Sequence, residues 1–447
     1  MKYIYGLNKS GLSIIKYFKK NNIPFAVWDD DKKRREELKS IVSNLIFIAP
    51  KNLNFFQFKE LYITPGIDFK QKKLNIIKKN RIKMFRDLEL YSNLLKKQKV
   101  IAITGTNGKS TTTKLIGNLI EQKYKNCFVG GNIGKPLIDS FNSKYNSKFH
   151  VIELSSFQLE SAPSFKSYIS ILLNISKDHQ DRYKTFKDYV LQKKKIFNSN
   201  SSFNIISLDD KHCLNILKSY RYKFANFIGI SSINQIKKGI YIYENSIIDD
   251  YFYNKKVIPI NKISNSLRGN FNLQNILATY AVSKILNINQ KLFNKCIEKF
   301  KGLPHRMEKI YENKRILIIN NSKATNLDSA INSIKHFQNI YLIFGGKIKN
   351  KNFLPLTKYK KNIEKCYIIG NYSKFIYKQI NKIVNSKLSY NLDDAIKHII
   401  LDLKSNKNKK TILFSPGCSS FDQFTSFEER GNCFRKLILN YKKKLNE

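Results

Sequence analysis

Residues 99–111 read Lys-Val-Ile-Ala-Ile-Thr-Gly-Thr-Asn-Gly-Lys-Ser-Thr. Val100 to Ile103 is an unbroken apolar run, the pattern of a strand covered on both faces. Gly105 to Thr111 follows, and then Leu115, Ile116, Leu119 and Ile120 recur at helical spacing. The stretch therefore predicts a strand, a glycine turn and a helix. In that setting backbone N–H groups can close around phosphate oxygens, and the helix N-terminus adds favourable partial charge. Lys109 would neutralise phosphate charge, and the Ser110 or Thr111 hydroxyl would reach Mg²⁺. The alternative is an ordinary glycine turn with an exposed lysine. The flanking strand and helix favour the phosphate reading.

Upstream, Tyr3-Ile4-Tyr5, a turn from Gly6 to Gly11 and an apolar stretch Leu12–Phe18 predict another strand and helix. A second strand, Phe25–Trp28, ends in Asp29-Asp30-Asp31, which completes a βαβ opening. The spacing Gly6…Gly11 is not GxGxxG, so as a nucleotide motif it is weak. Leu61–Thr64 followed by Pro65-Gly66 reads as a strand and a tight turn.

Downstream, strands end at Glu153 and Asn174, residues 239–260 suggest a small antiparallel insert, and 271–286 an apolar helix. From Gly302 onward strand and helix alternate again, with strands at Ile316–Ile319, Tyr341–Phe344, Tyr367–Ile369 and Thr411–Phe414. Such alternation implies α/β folding with doubly wound, mostly parallel sheets, whose ligands bind beyond the strand C-terminal ends. At about 150 residues per domain, 447 residues suggest roughly three domains.

Lys plus Arg number 81 against 33 Asp plus Glu, a net charge of +48. That balance raises nucleic acid or an anionic membrane as partner. The basic residues are mostly Lys and are spread along the chain, which fits a solvated surface better than a binding arm. A positive field would also attract a diphosphate-bearing substrate. The six cysteines contain no CxxC pair and read as reduced thiols. No signal peptide is visible and no apolar run reaches membrane-spanning length.

Chemistry-bearing residues follow the predicted strands. Glu153 at a strand end suits Mg²⁺, which prefers oxygen ligands, although a lone Glu there could be a surface cap. His179 could ligate metal or be structural. Lys193, inside Lys193-Lys194-Lys195, reads on its own as part of a wet face. Asn320–Asn326, Gly345–Lys349 and Ser415–Phe424 are three polar turns on one sheet edge and form a candidate carboxylate pocket.

Together GTNGKST at 105–111, ELSSFQLE at 153–160, NISKDHQDRY at 174–183, GLPHRME at 302–308, NSKATN at 321–326 and SPGCSSFDQF at 415–424 resemble the Mur ligase family, in order and over nearly the whole chain. The last two motifs resemble its D-glutamate-adding branch. The resemblance implies three domains: a Rossmann-like UDP-substrate-binding domain at 1–93, a P-loop ATPase domain at 94–302, and a Rossmann-like amino-acid-binding domain at 303–447. It implies ATP-dependent ligation of D-glutamate to UDP-N-acetylmuramoyl-L-alanine through an acyl phosphate, in peptidoglycan synthesis, by a cytoplasmic monomer needing Mg²⁺.

Carried over by position, Gly105, Thr106, Asn107, Gly108, Lys109, Ser110, Thr111, Asn272, Asn275, Arg306 and Asn321 bind ATP. Ser110, Glu153 and His179 hold metal. Lys109, Asn132, His179 and Lys193 are catalytic, Lys193 as a carbamate formed with CO₂, which replaces the wet-face reading. Ser10, Thr64, Gly66 and Asn132 bind the UDP substrate. Lys323, Thr325, Lys349, Ser420 and Phe427 bind D-glutamate. The chain departs from the family pattern at Asn321 (usually Asp), Lys347-Ile348 (Asp-Gly), Asn8 (Gly) and Asp30-Asp31 (Thr-Arg). The alternatives are another Mur ligase or a folylpolyglutamate synthetase-like enzyme and, in a different class, a basic nucleic-acid-binding NTPase.

Overall fold

The computed structural model describes residues 1–54, 57–80, 82–142, 147–178, 182–197, 201–220, 226–260, 262–267, 269–348, 352–404 and 408–446. Three sheets organise them. The first has strands β1 (Lys2–Tyr5), β2 (Phe25–Trp28), β3 (Glu60–Ile63) and β4 (Lys83–Phe85) in the order β2-β1-β3-β4, all parallel. The turn after β1 is tight: a Cβ on Gly11 would fall 2.0 Å from the Gly6 carbonyl oxygen. Only glycine lets the helix Lys9–Lys20 approach the strand so closely.

The second sheet carries β5 (Lys99–Thr104), β6 (Cys127–Gly131), β7 (Phe149–Glu153), β8 (Ile169–Leu172), β9 (Phe203–Ser207), β10 (Phe227–Ser231), β11 (Gly239–Tyr243), β12 (Ser246–Asp249) and β13 (Lys256–Pro259). Their order is β13-β12-β11-β10-β9-β8-β5-β7-β6. The expected apolar run Val100–Ile103 is buried in β5, and the expected helix 271–286 is Leu273–Ile285. The 239–260 segment is antiparallel within itself, as expected, and it extends this sheet through parallel pairing of β11 with β10.

The third sheet has β14 (Glu308–Glu312), β15 (Ile316–Asn320), β16 (Ile340–Gly345), β17 (Ile363–Ile369), β18 (Ser386–Tyr390) and β19 (Lys410–Phe414), ordered β14-β15-β19-β16-β17-β18. Only β14 runs antiparallel.

The chain forms two compact units, residues 1–263 with 270–299, and 264–269 with 300–447. One apolar cluster runs through the first unit from Ile4 and Leu7 to Val100, Ile152 and Leu172, so the first two sheets share a continuous core. In the second unit helices cover both faces of the third sheet with separate clusters, around Ile343, Phe414 and Phe434 and around Leu342, Phe344 and Ile368. No helix among the described residues is long and apolar enough to cross a membrane.

Candidate functional site

Strands β8, β5, β7 and β6 are neighbours in that order, so the turns after them meet at one sheet edge. After β5 comes the Gly105–Ser110 turn, which leads into the helix Lys109–Tyr124. Gly108 has φ +81°, and a Cβ there would lie 2.4 Å from the Asn275 Oδ1. No side chain caps the helix at Gly108, and first-turn N–H groups point out of a helix end. The turn is braced from outside. The Asn107 N–H donates to the Asn174 Oδ1 at 2.8 Å, and the Thr106 N–H to the Asn174 carbonyl at 2.8 Å. The Thr112 hydroxyl donates to the Asn275 Oδ1 at 2.9 Å, and the Asn275 amide to the Asn272 Oδ1 at 2.8 Å. Asn272 and Asn275, both buried, thus belong to the phosphate-loop side.

Lys109 folds over its own loop, its Nζ donating to the carbonyls of Gly105 at 2.9 Å and Thr106 at 2.8 Å. Lys193 comes to the same place from the helix Phe186–Lys194. Its Nζ donates to the Gly105 carbonyl at 2.7 Å. The wet-face reading of Lys193 is therefore corrected: this lysine is only 2% exposed, and the face it shares with Tyr189 points inward. Burial first, and then the nearby Lys109 charge, hold its ammonium well below the usual lysine pKa. A buried amine biased toward its neutral form is a nucleophile.

Glu153 ends β7 and is 1% exposed, so it is no surface cap. The Asn132 amide donates to its Oε1 at 2.8 Å, and the Asn132 N–H to its carbonyl at 2.9 Å. The glycine cradle with its hydroxyl and carboxylate oxygens fits a nucleotide triphosphate with Mg²⁺. Among the described residues no three His, Cys, Asp or Glu side chains gather as a metal cage. His179 lies outside the described residues.

Beside the first sheet, burial raises the Asp87 carboxyl pKa while the nearby Ser10 hydroxyl lowers it, and Thr64 is buried beside the Gly6 turn. Asn8 precedes the first helix at negative φ, so the turn does not need glycine there. Asp30 accepts the Tyr5 hydroxyl at 2.8 Å, and Asp31 caps the helix Lys32–Ile41 through the Lys33 N–H. Both aspartates thus have structural work.

The second unit gathers its own set. Lys323 Nζ sits 3.8 Å above the Phe427 ring. Ser322 donates to the Phe427 carbonyl at 2.9 Å. Ser420 is buried, and Thr325 lies two residues beyond Lys323. Asn321 accepts from the Met307 N–H and donates to the Ser415 hydroxyl, both at 3.2 Å. An ionised Asp could only accept, so the Asn suits both bonds. Lys347 pairs with Ser419 through backbone alone, at 2.9 and 3.0 Å, which any side chain permits. Arg306 lies half-buried between His305 and Met307, both at positive φ. Lys349 lies outside the described residues.

Sequence reasoning missed three supports. Asn174 was legible as a strand end and as the first residue of NISKDHQDRY, but not as the brace of the 105–110 turn. Arg430, 1% exposed, binds the carbonyls of Ser322 at 2.8 Å and Cys418 at 3.1 Å and so ties two loops together. Arg86 does similar work near Thr64. Neither arginine stands in a quoted motif.

The family model for the Mur ligase middle domain matches residues 103–283, and that for the Mur ligase MurD-like N-terminal domain matches residues 1–85. A UDP-N-acetylmuramoylalanine–D-glutamate ligase of Rickettsia prowazekii is 35% identical, over 97% of this chain and 96% of the relative. The Buchnera aphidicola protein of the same name is 34% identical over the same shares. The solved UDP-N-acetylmuramate–alanine ligase of Thermotoga maritima covers 99% of both chains with TM-score 0.62 at 17% identity. The Thermotoga maritima MurF ligase, solved with ADP, gives TM-score 0.58 at 17% identity, covering 87% of this chain and 97% of its own. The structural likenesses show the fold, and the sequence likeness over nearly the full length shows that this chain belongs to the Mur ligase family, among its UDP-N-acetylmuramoylalanine–D-glutamate ligases.

Proposed function

We propose that this chain joins D-glutamate to UDP-N-acetylmuramoyl-L-alanine at the expense of ATP, yielding the amide, ADP and phosphate for peptidoglycan synthesis. The observation that carries this reading is the convergence of Lys109, buried Lys193 and the Asn132–Glu153 pair on the turns of one sheet edge.

On this reading residues 1–93 hold the UDP substrate through Ser10, Thr64 and Gly66, residues 94–302 hold ATP, and residues 303–447 hold D-glutamate. A substrate carboxylate oxygen attacks the γ-phosphorus of ATP, and ADP leaves. The amine of D-glutamate attacks the acyl carbon, loses a proton, and phosphate leaves. Such chemistry is mainly positioning and charge neutralisation. The loop N–H groups and Lys109 take the phosphates, with Asn272, Asn275, Arg306 and Asn321 as further ATP contacts. Ser110, Glu153 and His179 would hold Mg²⁺, which supplies neutralising positive charge at the phosphates. Asn132 steadies Glu153 and borders the acyl group. The neutral Lys193 amine adds to the carbon of CO₂ and releases one proton, which leaves an anionic carbamate where the amine stood. Lys323, Thr325, Ser420 and Phe427, with Lys349, hold D-glutamate. The enzyme works in the cytoplasm as a monomer.

The test is phosphate release from ATP with UDP-N-acetylmuramoyl-L-alanine, comparing D-glutamate, L-glutamate, L-lysine and diaminopimelate. Release that needs the nucleotide acceptor and is fastest with D-glutamate is expected. Preference for another amino acid would overturn the pocket assignment.

A further inference from the structure

We propose that Arg86 is a positioning residue for the ligation: it locks the Thr64–Gly66 turn to the segment following Glu153. The proposal rests on the assignment of that turn to the UDP substrate. Arg86 is fully buried. Its Nη1 donates to the carbonyls of Thr64 and Ile67, each at 2.8 Å, and of Ile63 at 3.3 Å. These acceptors bracket the turn on both sides. Its Nη2 pairs with Glu160, seven residues beyond Glu153.

A second arginine repeats the arrangement. Arg182 Nη2 donates to the same Ile67 carbonyl at 3.0 Å and lies 3.4 Å from the same Glu160 oxygen. Two guanidiniums therefore share one carbonyl of the turn and one carboxylate of the ATP-side segment. The neighbouring Asp87, also buried, accepts from the Gln158 amide at 3.4 Å. Residues 86 and 87 thus both reach residues 158–160, and Arg86 carries the Thr64–Gly66 turn with it.

Packing alone is a poor account of this choice. Burying a guanidinium is costly unless its geometry is well matched, and Arg86 Nε has no hydrogen-bond partner among the described residues. What the planar fork supplies is several directed bonds in one fixed arrangement, which lysine cannot copy. A turn held in register with the ATP-side segment lets a nucleotide-anchored carboxylate meet its phosphorus without a further ordering cost.

The experiment compares the full chain with Arg86→Ala, Arg86→Lys, Glu160→Gln and the Ala–Gln double variant. It reads kcat, KM for each nucleotide substrate, binding of UDP alone by titration, and thermal midpoint. Loss of charge-assisted bonds should raise the UDP-substrate KM in Arg86→Ala about tenfold or more. The ATP KM should stay within about twofold, because uniform binding of the other substrate is untouched. Arg86→Lys should fall between the two, and the double variant should be less than additive. The proposal is overturned if both KM values rise together with the loss of thermal midpoint, if neither moves, or if Arg86→Lys equals the parent. Should Arg86→Ala not fold, the Lys and Gln variants carry the same comparison. Absence of D-glutamate-dependent turnover in the parent would count against the ligase reading, while UDP titration of parent and Arg86→Lys still decides the positioning role.

Discussion

Lys193 stands between Gln192 and two further lysines, yet its side chain is buried while Lys195 is exposed. The difference is helical phase. Tyr189 and Lys193 are four apart and share the inward face, and Ile196 continues it. Composition hides this and spacing reveals it. The chemistry then sets the expectations. Lys193→Ala should lose most activity and regain part of it with added short-chain carboxylates, which can stand in for the carbamate. Measured initial rates with and without formate or acetate decide it, and no recovery in a folded variant would remove the carbamate role. The pH sign follows from the burial. A lysine with a depressed pKa stays neutral to lower pH than a free lysine, so reaction with CO₂ should persist below the ordinary lysine range and fade only as the amine protonates. Lys109→Ala should lower kcat by at least about a hundredfold, on the scale seen when one donor to a developing charge is removed. A rate near the parent's would refute the phosphate-loop assignment.

At the level of elements, strands with continuous apolar runs were legible and polar edge strands were not. β16 is buried along its length, β5 is buried from Val100 onward, and both stand out in the sequence. β14 reads Glu-Lys-Ile-Tyr-Glu and β18 Ser-Lys-Leu-Ser-Tyr, and both lie at sheet edges where one side faces water. Their polar composition concealed them. The strand–turn–helix around Gly108 was legible because each part agrees with the next. Its constraint can be tested directly. Gly108→Ala must place a Cβ 2.4 Å from the Asn275 Oδ1 at a φ of +81°. A strained backbone position of this kind costs on the order of 1–3 kcal/mol. The variant should melt earlier and, because Asn275 is displaced, bind ATP more weakly. Calorimetric melts with and without ATP would check it. Unchanged ATP binding would show that the Asn275 contact is incidental to the nucleotide.

Over the whole molecule, the three-sheet plan was readable from strand–helix alternation, whereas the packing of the first two sheets into one unit was not. That unit depends on long-range partners such as Arg86 with Glu160, which no local pattern announces. The net charge of +48 is also a property of the whole chain. Its substrates, on the proposed reading, are all anions, so the field should raise their local concentration. Screening then makes a definite demand. The Debye length falls from about 10 Å at 0.1 M salt to about 3 Å at 1 M. The KM values for ATP and for the UDP substrate should therefore rise several-fold, roughly, over that range through slower association. The kcat should change little, because bonds within the desolvated loop are screened far less than exposed charges. A steady-state salt series reads both quantities. If KM stays flat, the lysines act as a solvated coat without steering. If nucleic acid stimulates ATP hydrolysis and salt abolishes that stimulation, the charge serves a polyanion partner and the ligase reading fails at its largest scale.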